Sequence, residues 1–223
     1  MNPTARRQES FVLVNVNHEA LEGNLEVPQG AQGIVLFAHG SGSSRHSPRN
    51  RYVAQILRTA GVGTLLIDLL TPEEEEIDLR TRHLRFDIGL LASRLIAATD
   101  WLQQNSLTHH LKIGYFGAST GSAAALVAAT ERPESVGAIV SRGGRVDMAG
   151  SAIARVQAPT LLIVGGYDLP VIRWNEDALE QLPCEKQLKI VPHASHLFEE
   201  PGALEQVAQL ASQWFKHYLI STP

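Results

Sequence analysis

The sequence predicts an α/β protein in which a mostly parallel sheet, with helices on both faces, follows an antiparallel N-terminal hairpin. Two patterns and one number carry that prediction. From residue 33 onward six compact apolar runs, GIVLFAH, GTLLIDLL, LKIGYFG, VGAIVS, PTLLIVGG and KQLKIVP, alternate with segments of helical period. Continuous apolar runs mark strands covered on both faces, the condition of a parallel sheet held between helix layers. Ahead of them, residues 10–16 and 19–27 read as two short strands around Asn17-His18, a hairpin that ends at Val27-Pro28. At 223 residues the chain is long enough for one core of this kind, so a single domain over 1–223 is expected.

The segments between the strands supply the helices. One is expected near residues 49–60, after the first core strand. Leu84, Ile88, Leu91, Leu95, Ala98 and Leu102 recur at spacings of three and four, one apolar stripe on a helix of roughly 20 residues. SAAALVAA is apolar all round, which places its helix at the centre, buried on every side. A further helix is expected over 171–182, and Leu204, Val207, Ala208, Ala211, Trp214 and Phe215 form the stripe of a C-terminal one. The charge run TPEEEEIDLRTRHLR reads as a solvated acidic loop leading into the next helix, or as a small lid or rim over residues 71–85.

Composition excludes several classes. Hydrophobic residues make up 44% and charged residues 19%, as in a globular domain. A net charge of −4 and a pI near 6.1 lack the basic face that binding a phosphate backbone requires, so no nucleic-acid partner is expected. No segment approaches the roughly 20 apolar residues of a membrane span, and FVLV is too short for a signal-peptide core. The lone Cys184 has no partner for a disulfide. A cytoplasmic protein with no membrane partner is the expectation, and the pattern specifies no oligomeric state.

The chemistry centres on GASTG, residues 117–121, which follows the predicted strand LKIGYF and opens a predicted helix. That is the setting of a nucleophile elbow, in which Ser119 occupies a strained turn above the sheet. Gly117 and Gly121 are needed there because a Cβ at either place would collide at so sharp a turn. A serine hydroxyl needs a base to take its proton and an acid to orient the base. Asp168, just past the strand PTLLIVGGY, is the candidate acid, with Asp147 in reserve. Of the two histidines in PHASHLFEEPG, His196 lies farther into the loop than His193 and has more reach toward Ser119. The remaining histidines read as loop or surface residues. No pair sits at a metal-ligand spacing with acidic support, so no metal and no cofactor are expected.

FAHGSGSS follows the first core strand, where this architecture supplies an oxyanion hole. Gly40 and Gly42 let that backbone turn inward, and the candidate donors are the N–H groups of Ser41 and Thr120. Serine, acid, base and donor loop occur in the required order, each after a predicted strand.

HGSGSSRHSPRN, IDLLTPEEE, GYFGASTGSAAAL, VGGYD and HLFEEPG together resemble the dienelactone hydrolase family of the α/β-hydrolase superfamily. The likeness is strongest to the short hydrolase-like domains sometimes joined to phosphoribosyltransferase domains. The resemblance implies an eight-stranded sheet and assigns nucleophile, acid and base to Ser119, Asp168 and His196. One position departs from it: dienelactone hydrolases proper carry cysteine at the elbow, whereas this chain has Ser119. Family members that act on the lactone hold its carboxylate with arginines. Here Arg142 and Arg145, in SRGGR at a strand's carboxyl end, are the candidates for binding an anionic substrate. The expected activity is hydrolysis of a small carboxylic ester, thioester or lactone through an acyl-enzyme, at an open, shallow site. An amidase or peptidase with the same triad, or a binding protein on a hydrolase scaffold, are the alternatives.

Overall fold

A computed structural model describes residues 9–16 and 19–220. The strands β1 (Ser10–Val16) and β2 (Glu19–Glu26) form the expected antiparallel pair; Asn17 and His18, between them, lie outside the described residues. The six apolar runs become β3 (Gly33–Ala38), β4 (Gly63–Ile67), β5 (Lys112–Ala118), β6 (Val136–Arg142), β7 (Thr160–Gly165) and β8 (Lys186–Val191). They join one eight-stranded sheet in the order β1-β2-β4-β3-β5-β6-β7-β8, in which β2 alone runs against its neighbours.

Strand alternation sorts the core into two layers. Val35, Phe37, Phe116, Ala138 and Val140 face one side, where α1 (Pro48–Thr59) and α6 (Ala203–Leu219) cover them. Ile34, Leu36, Ile113, Tyr115 and Ile139 face the other, under α3 (Ile88–Gln104) and α4 (Thr120–Glu131), with α5 (Leu169–Gln181) packed nearby. Nine residues of α4 are buried, including every residue from Thr120 to Leu126, so the helix that is apolar all round does lie at the centre.

Three elements differ from expectation. KQLKIVP is an edge strand: only Val191 of β8 is buried, because among the described residues no strand lies beyond it. The charge run folds into α2 (Pro72–Thr81), since Thr71 and Glu74 form a reciprocal capping box and Pro72 and three glutamates suit a helix's first turn. The stripe beginning at Leu84 is interrupted: residues 84–86 make a 3-10 turn, and α3 starts after Asp87, whose carboxylate accepts from the Leu90 N–H.

Candidate active site

The elbow stands at the carboxyl end of β5. Ser119 has φ 51° and ψ −120°, a conformation that L-residues rarely adopt and that only an over-determined turn sustains. The turn closes tightly: a Cβ on Gly117 would lie 2.4 Å from Ser122 Cα, and one on Gly121 would lie 2.2 Å from the Ala38 carbonyl oxygen. Both contacts are with backbone, so no side chain fits at either place. Beside the turn, the Ser119 N–H donates to Arg142 O at 3.1 Å and the Arg145 N–H donates to Ser119 O at 3.0 Å, tying the elbow to the end of β6.

Asp168 sits at the N-cap position of α5 yet caps nothing; its carboxylate is turned to His196, with Oδ2 2.6 Å from Nδ1. A carboxylate oxygen facing Nδ1 calls for the proton on that nitrogen and leaves Nε2 as the ring's free edge. Two backbone bonds hold the Asp168 loop on the His196 loop, Tyr167 N–H to Ala194 O and Gly166 N–H to Val191 O, both at 2.9 Å. Gly165 permits that approach, because a Cβ there would stand 2.4 Å from Ala194 O. The His196 loop approaches the elbow through Gly143: a Cβ on this residue would be 3.4 Å from His196 Cε1 and Nδ1. Ser119 Oγ and the His196 ring share no hydrogen bond; such bonds commonly tighten only around substrate.

The alternatives have other partners. His193, at φ 60°, meets the Tyr167 hydroxyl with Nδ1 at 2.9 Å. Asp147 accepts two bonds from Arg145, at 2.9 and 2.8 Å, and that guanidinium stacks 4.3 Å over the Trp174 ring. Arg145 is therefore satisfied within the protein, whereas Arg142 is buried at the end of β6. Cys184 lies just before β8 and contacts Thr160 at the start of β7, at the amino ends of the parallel strands, whereas the elbow stands at a carboxyl end.

The donor loop follows β3. Gly40 packs against the elbow, where a Cβ would come within 3.1 Å of Ser119 Cβ, and Gly42 has φ 66°. Among the described residues the Ser41 N–H has no acceptor, and Thr120, first in α4, has no carbonyl one turn back to receive its own. Ser41, Gly42 and Thr120 line a cavity of ≈10 Å³, room for about one water, together with Glu75, Asp78 and Arg85 from the segment 71–86. Burial pushes the Asp78 carboxyl up, but hydrogen bonds from Arg85 outweigh it and hold the group below the usual carboxylate range.

His39 corrects a sequence expectation: it is a core residue, 8% exposed, where loop or surface was anticipated. Its Nε2 accepts from the Leu69 N–H at 3.0 Å and its Nδ1 faces Gly40 O at 3.0 Å, so the ring bridges the donor loop to the end of β4. Burial pushes its pKa below 6.5 and keeps it neutral. The signal available in sequence was its place at the end of a fully buried strand. No group of three or more His, Cys, Asp or Glu among the described residues could hold a metal ion.

A strained serine elbow between a parallel strand and a buried helix, with a histidine and aspartate on later strand-end loops, defines an α/β-hydrolase. Within that class the chain belongs to the dienelactone hydrolase family, whose model matches residues 28–219. The crystal structure of a dienelactone hydrolase from Anabaena variabilis superposes with a TM-score of 0.95 at 73% identity, covering 96% of this chain and 99% of that one. A Mycobacterium tuberculosis protein provisionally named a phosphoribosyl transferase is 56% identical over 218 residues, 98% of this chain. The present chain spans 48% of that relative's length. An esterase domain from Rhodothermus marinus shares the fold at a TM-score of 0.74 and 20% identity, covering 95% of this chain and 99% of that one.

Proposed function

We propose that the protein is a serine hydrolase that cleaves a small carboxylic ester, thioester or lactone through an acyl-enzyme. The observation that carries this reading is the 2.6 Å pairing of Asp168 with His196, in loops that meet beside a strained Ser119. In the reaction, Ser119 Oγ attacks the carbonyl carbon while His196 Nε2 takes the hydroxyl proton. Asp168 keeps the ring oriented and stabilises the imidazolium that forms. The N–H groups of Ser41 and Thr120 receive the oxyanion. Collapse of the tetrahedral species breaks the bond to the leaving group, which takes the proton from His196; water, activated by the same ring, then hydrolyses the acyl-Ser119 ester and restores the hydroxyl. The phosphoribosyl transferase name belongs to a relative of about twice this length, and the hydrolase reading rests on residues within this chain.

Only α2 and one 3-10 turn lie between β4 and α3, which supports an open site and small substrates. A cytoplasmic setting is part of the proposal, supported by the unpaired Cys184. The test is intact-mass measurement after incubation with a fluorophosphonate, followed by peptide mapping. One adduct per chain, on Ser119, is expected, and none in the Ser119→Ala variant. A folded wild-type protein that takes no adduct overturns the reading in favour of a binding protein.

A further inference from the structure

The edge of β8 lacks the devices that usually blunt one. A strand at the rim of a sheet offers unpaired N–H and C=O groups, which proteins guard with proline, bulges, lysines or a covering element. Along β8 the register with β7 runs from Thr160↔Lys186 to Gly165↔Val191 without a bulge, and no proline interrupts it. The Thr160 N–H donates to Glu185 O and the Gly166 N–H to Val191 O, so the odd-numbered residues turn their peptide groups to β7. Lys186, Leu188 and Ile190 therefore point theirs outward, and among the described residues no strand receives them. Lys186 is no guard, because its ammonium is turned back onto the Leu182 carbonyl. That leaves Lys189, which stands exposed at the edge with no carboxylate paired to it among the described residues.

The charges along this edge indicate what covers it. Glu185, Gln187 and Lys189 line a groove of ≈370 Å³ with Trp214 and Tyr218 of α6, and the Tyr218 hydroxyl hydrogen-bonds to the Glu185 carboxylate. On the other face Leu188 is half-buried and Ile190 is 40% exposed. One face thus carries an anion and a cation four residues apart, with Gln187 midway, a pattern that its own reverse complements. Set two such edges antiparallel about a two-fold axis at Gln187, and Glu185 of each copy stands opposite Lys189 of the other. Lys186 and Leu188, whose peptide groups point outward, then form the hydrogen-bonded pairs; Glu185 and Lys189 form the non-hydrogen-bonded pairs, in which side chains approach most closely. An axis at Leu188 would set Lys189 against Gln187 and leave Glu185 unanswered, and one at Lys189 would set lysine against lysine. We propose that the β8 edge is a dimer interface, on which a second copy of this chain pairs antiparallel about Gln187 and continues the sheet. The two-fold uses both edges and closes the assembly. A six-residue edge, about 20 Å long, is a small contact, so the association is reversible. The interface is independent of the hydrolase reading, since it involves neither Ser119 nor His196.

The test is sedimentation equilibrium of the full chain, at concentrations up to about 300 µM to reach the micromolar range of weak interfaces. The mass of the wild type rises from the 24.3 kDa of one chain toward twice that value and no further. Lys189→Glu sets carboxylate against carboxylate across the axis and Glu185→Lys sets ammonium against ammonium, so each variant alone weakens the dimer by about tenfold or more. Mixed in equal amounts, the two variants meet opposite charges at both positions, and the mixture recovers the wild-type dissociation constant within about threefold. That recovery also shows that both variants are folded. In the wild type, deuterium exchange of peptides spanning β8 slows as the concentration rises, because the outward N–H groups of Lys186 and Leu188 acquire acceptors. If Glu185→Lys fails to fold, Lys189→Glu and the exchange measurement decide alone. A wild type that stays monomeric at about 300 µM, a dimer indifferent to Lys189→Glu, growth beyond a dimer, or a mixture of folded variants that associates no better than its components overturns the proposal.

Discussion

Replacing Asp168 by asparagine separates the charge of the acid from its shape. The carboxylate is mostly buried, with 13% of its side chain exposed, and faces His196 Nδ1 at 2.6 Å, while 38% of the histidine side chain is exposed. When the ring takes the Ser119 proton it becomes an imidazolium beside an anion. At an effective dielectric near 20, two unit charges a few ångströms apart attract by about 4–6 kcal/mol, and solvent reaching the ring favours the lower end. A stabilisation of about 4 kcal/mol realised only in the transition state corresponds to about a thousandfold in kcat. The substituted side chain would also offer an amide N–H to Nδ1, which favours the ring tautomer with the wrong nitrogen protonated. Steady-state hydrolysis of 4-nitrophenyl acetate, with circular dichroism to verify the fold, reads the effect. Asp168→Asn should lose about 10³ in kcat with KM little changed, and Asp147→Asn less than tenfold. A folded Asp168→Asn enzyme within tenfold of wild type would refute the assignment of the acid and the electrostatic reasoning behind it.

Three further outcomes follow from single contacts. Gly121→Ala places a Cβ 2.2 Å from the Ala38 carbonyl oxygen, a backbone atom that cannot swing away; urea unfolding should show a loss of about 3 kcal/mol or more, and a loss under about 1 would mean the elbow is not close-packed. His39 is buried neutral with its pKa below 6.5, so the unfolded chain binds the extra proton and stability falls as pH drops below about 6.5, by up to about 1.4 kcal/mol per pH unit. Stability curves between pH 7.5 and 5 should flatten in His39→Gln; an unchanged slope would assign the acid sensitivity elsewhere. Arg94, 5% exposed, joins Glu74 of α2 at 2.6 Å and the half-exposed Glu19 of β2 at 2.8 Å. Arg94→Met strands one shielded carboxylate and should cost about 2–3 kcal/mol in chemical denaturation, the exposed partner reducing the usual penalty for a broken buried pair; less than about 1 would show that water replaces the arginine freely.

Short-range patterns account for what could be read before the structure. Strand runs, the all-apolar helix and GASTG are each local, and the elbow glycines are demanded by sterics within one turn. Asp168 was legible as a candidate because a carboxylate after a strand-closing Gly-Gly pair stands at the carboxyl end of a strand; its contact with His196 was not. The charge run was harder: four successive glutamates look like a solvated loop until the capping box of Thr71 and Glu74 and the reach of Arg94 are counted. The exposure of β8 was hidden for a related reason, since an apolar run does not declare whether another strand pairs with its far side.

By itself, then, the sequence determined the parallel sheet, the tight turn at Ser119 and the order of Ser119, Asp168 and His196 at successive strand ends, because these follow from periodicity and from backbone sterics over a few residues. Only the tertiary structure decided partnership. Asp168 answers to His196 across 28 residues, Asp147 to Arg145, His39 to the backbone of Leu69, and Arg142 to no acid among the described residues. A charge's partner depends on which loops the sheet brings side by side, and neighbourhood along the chain carries little of that information.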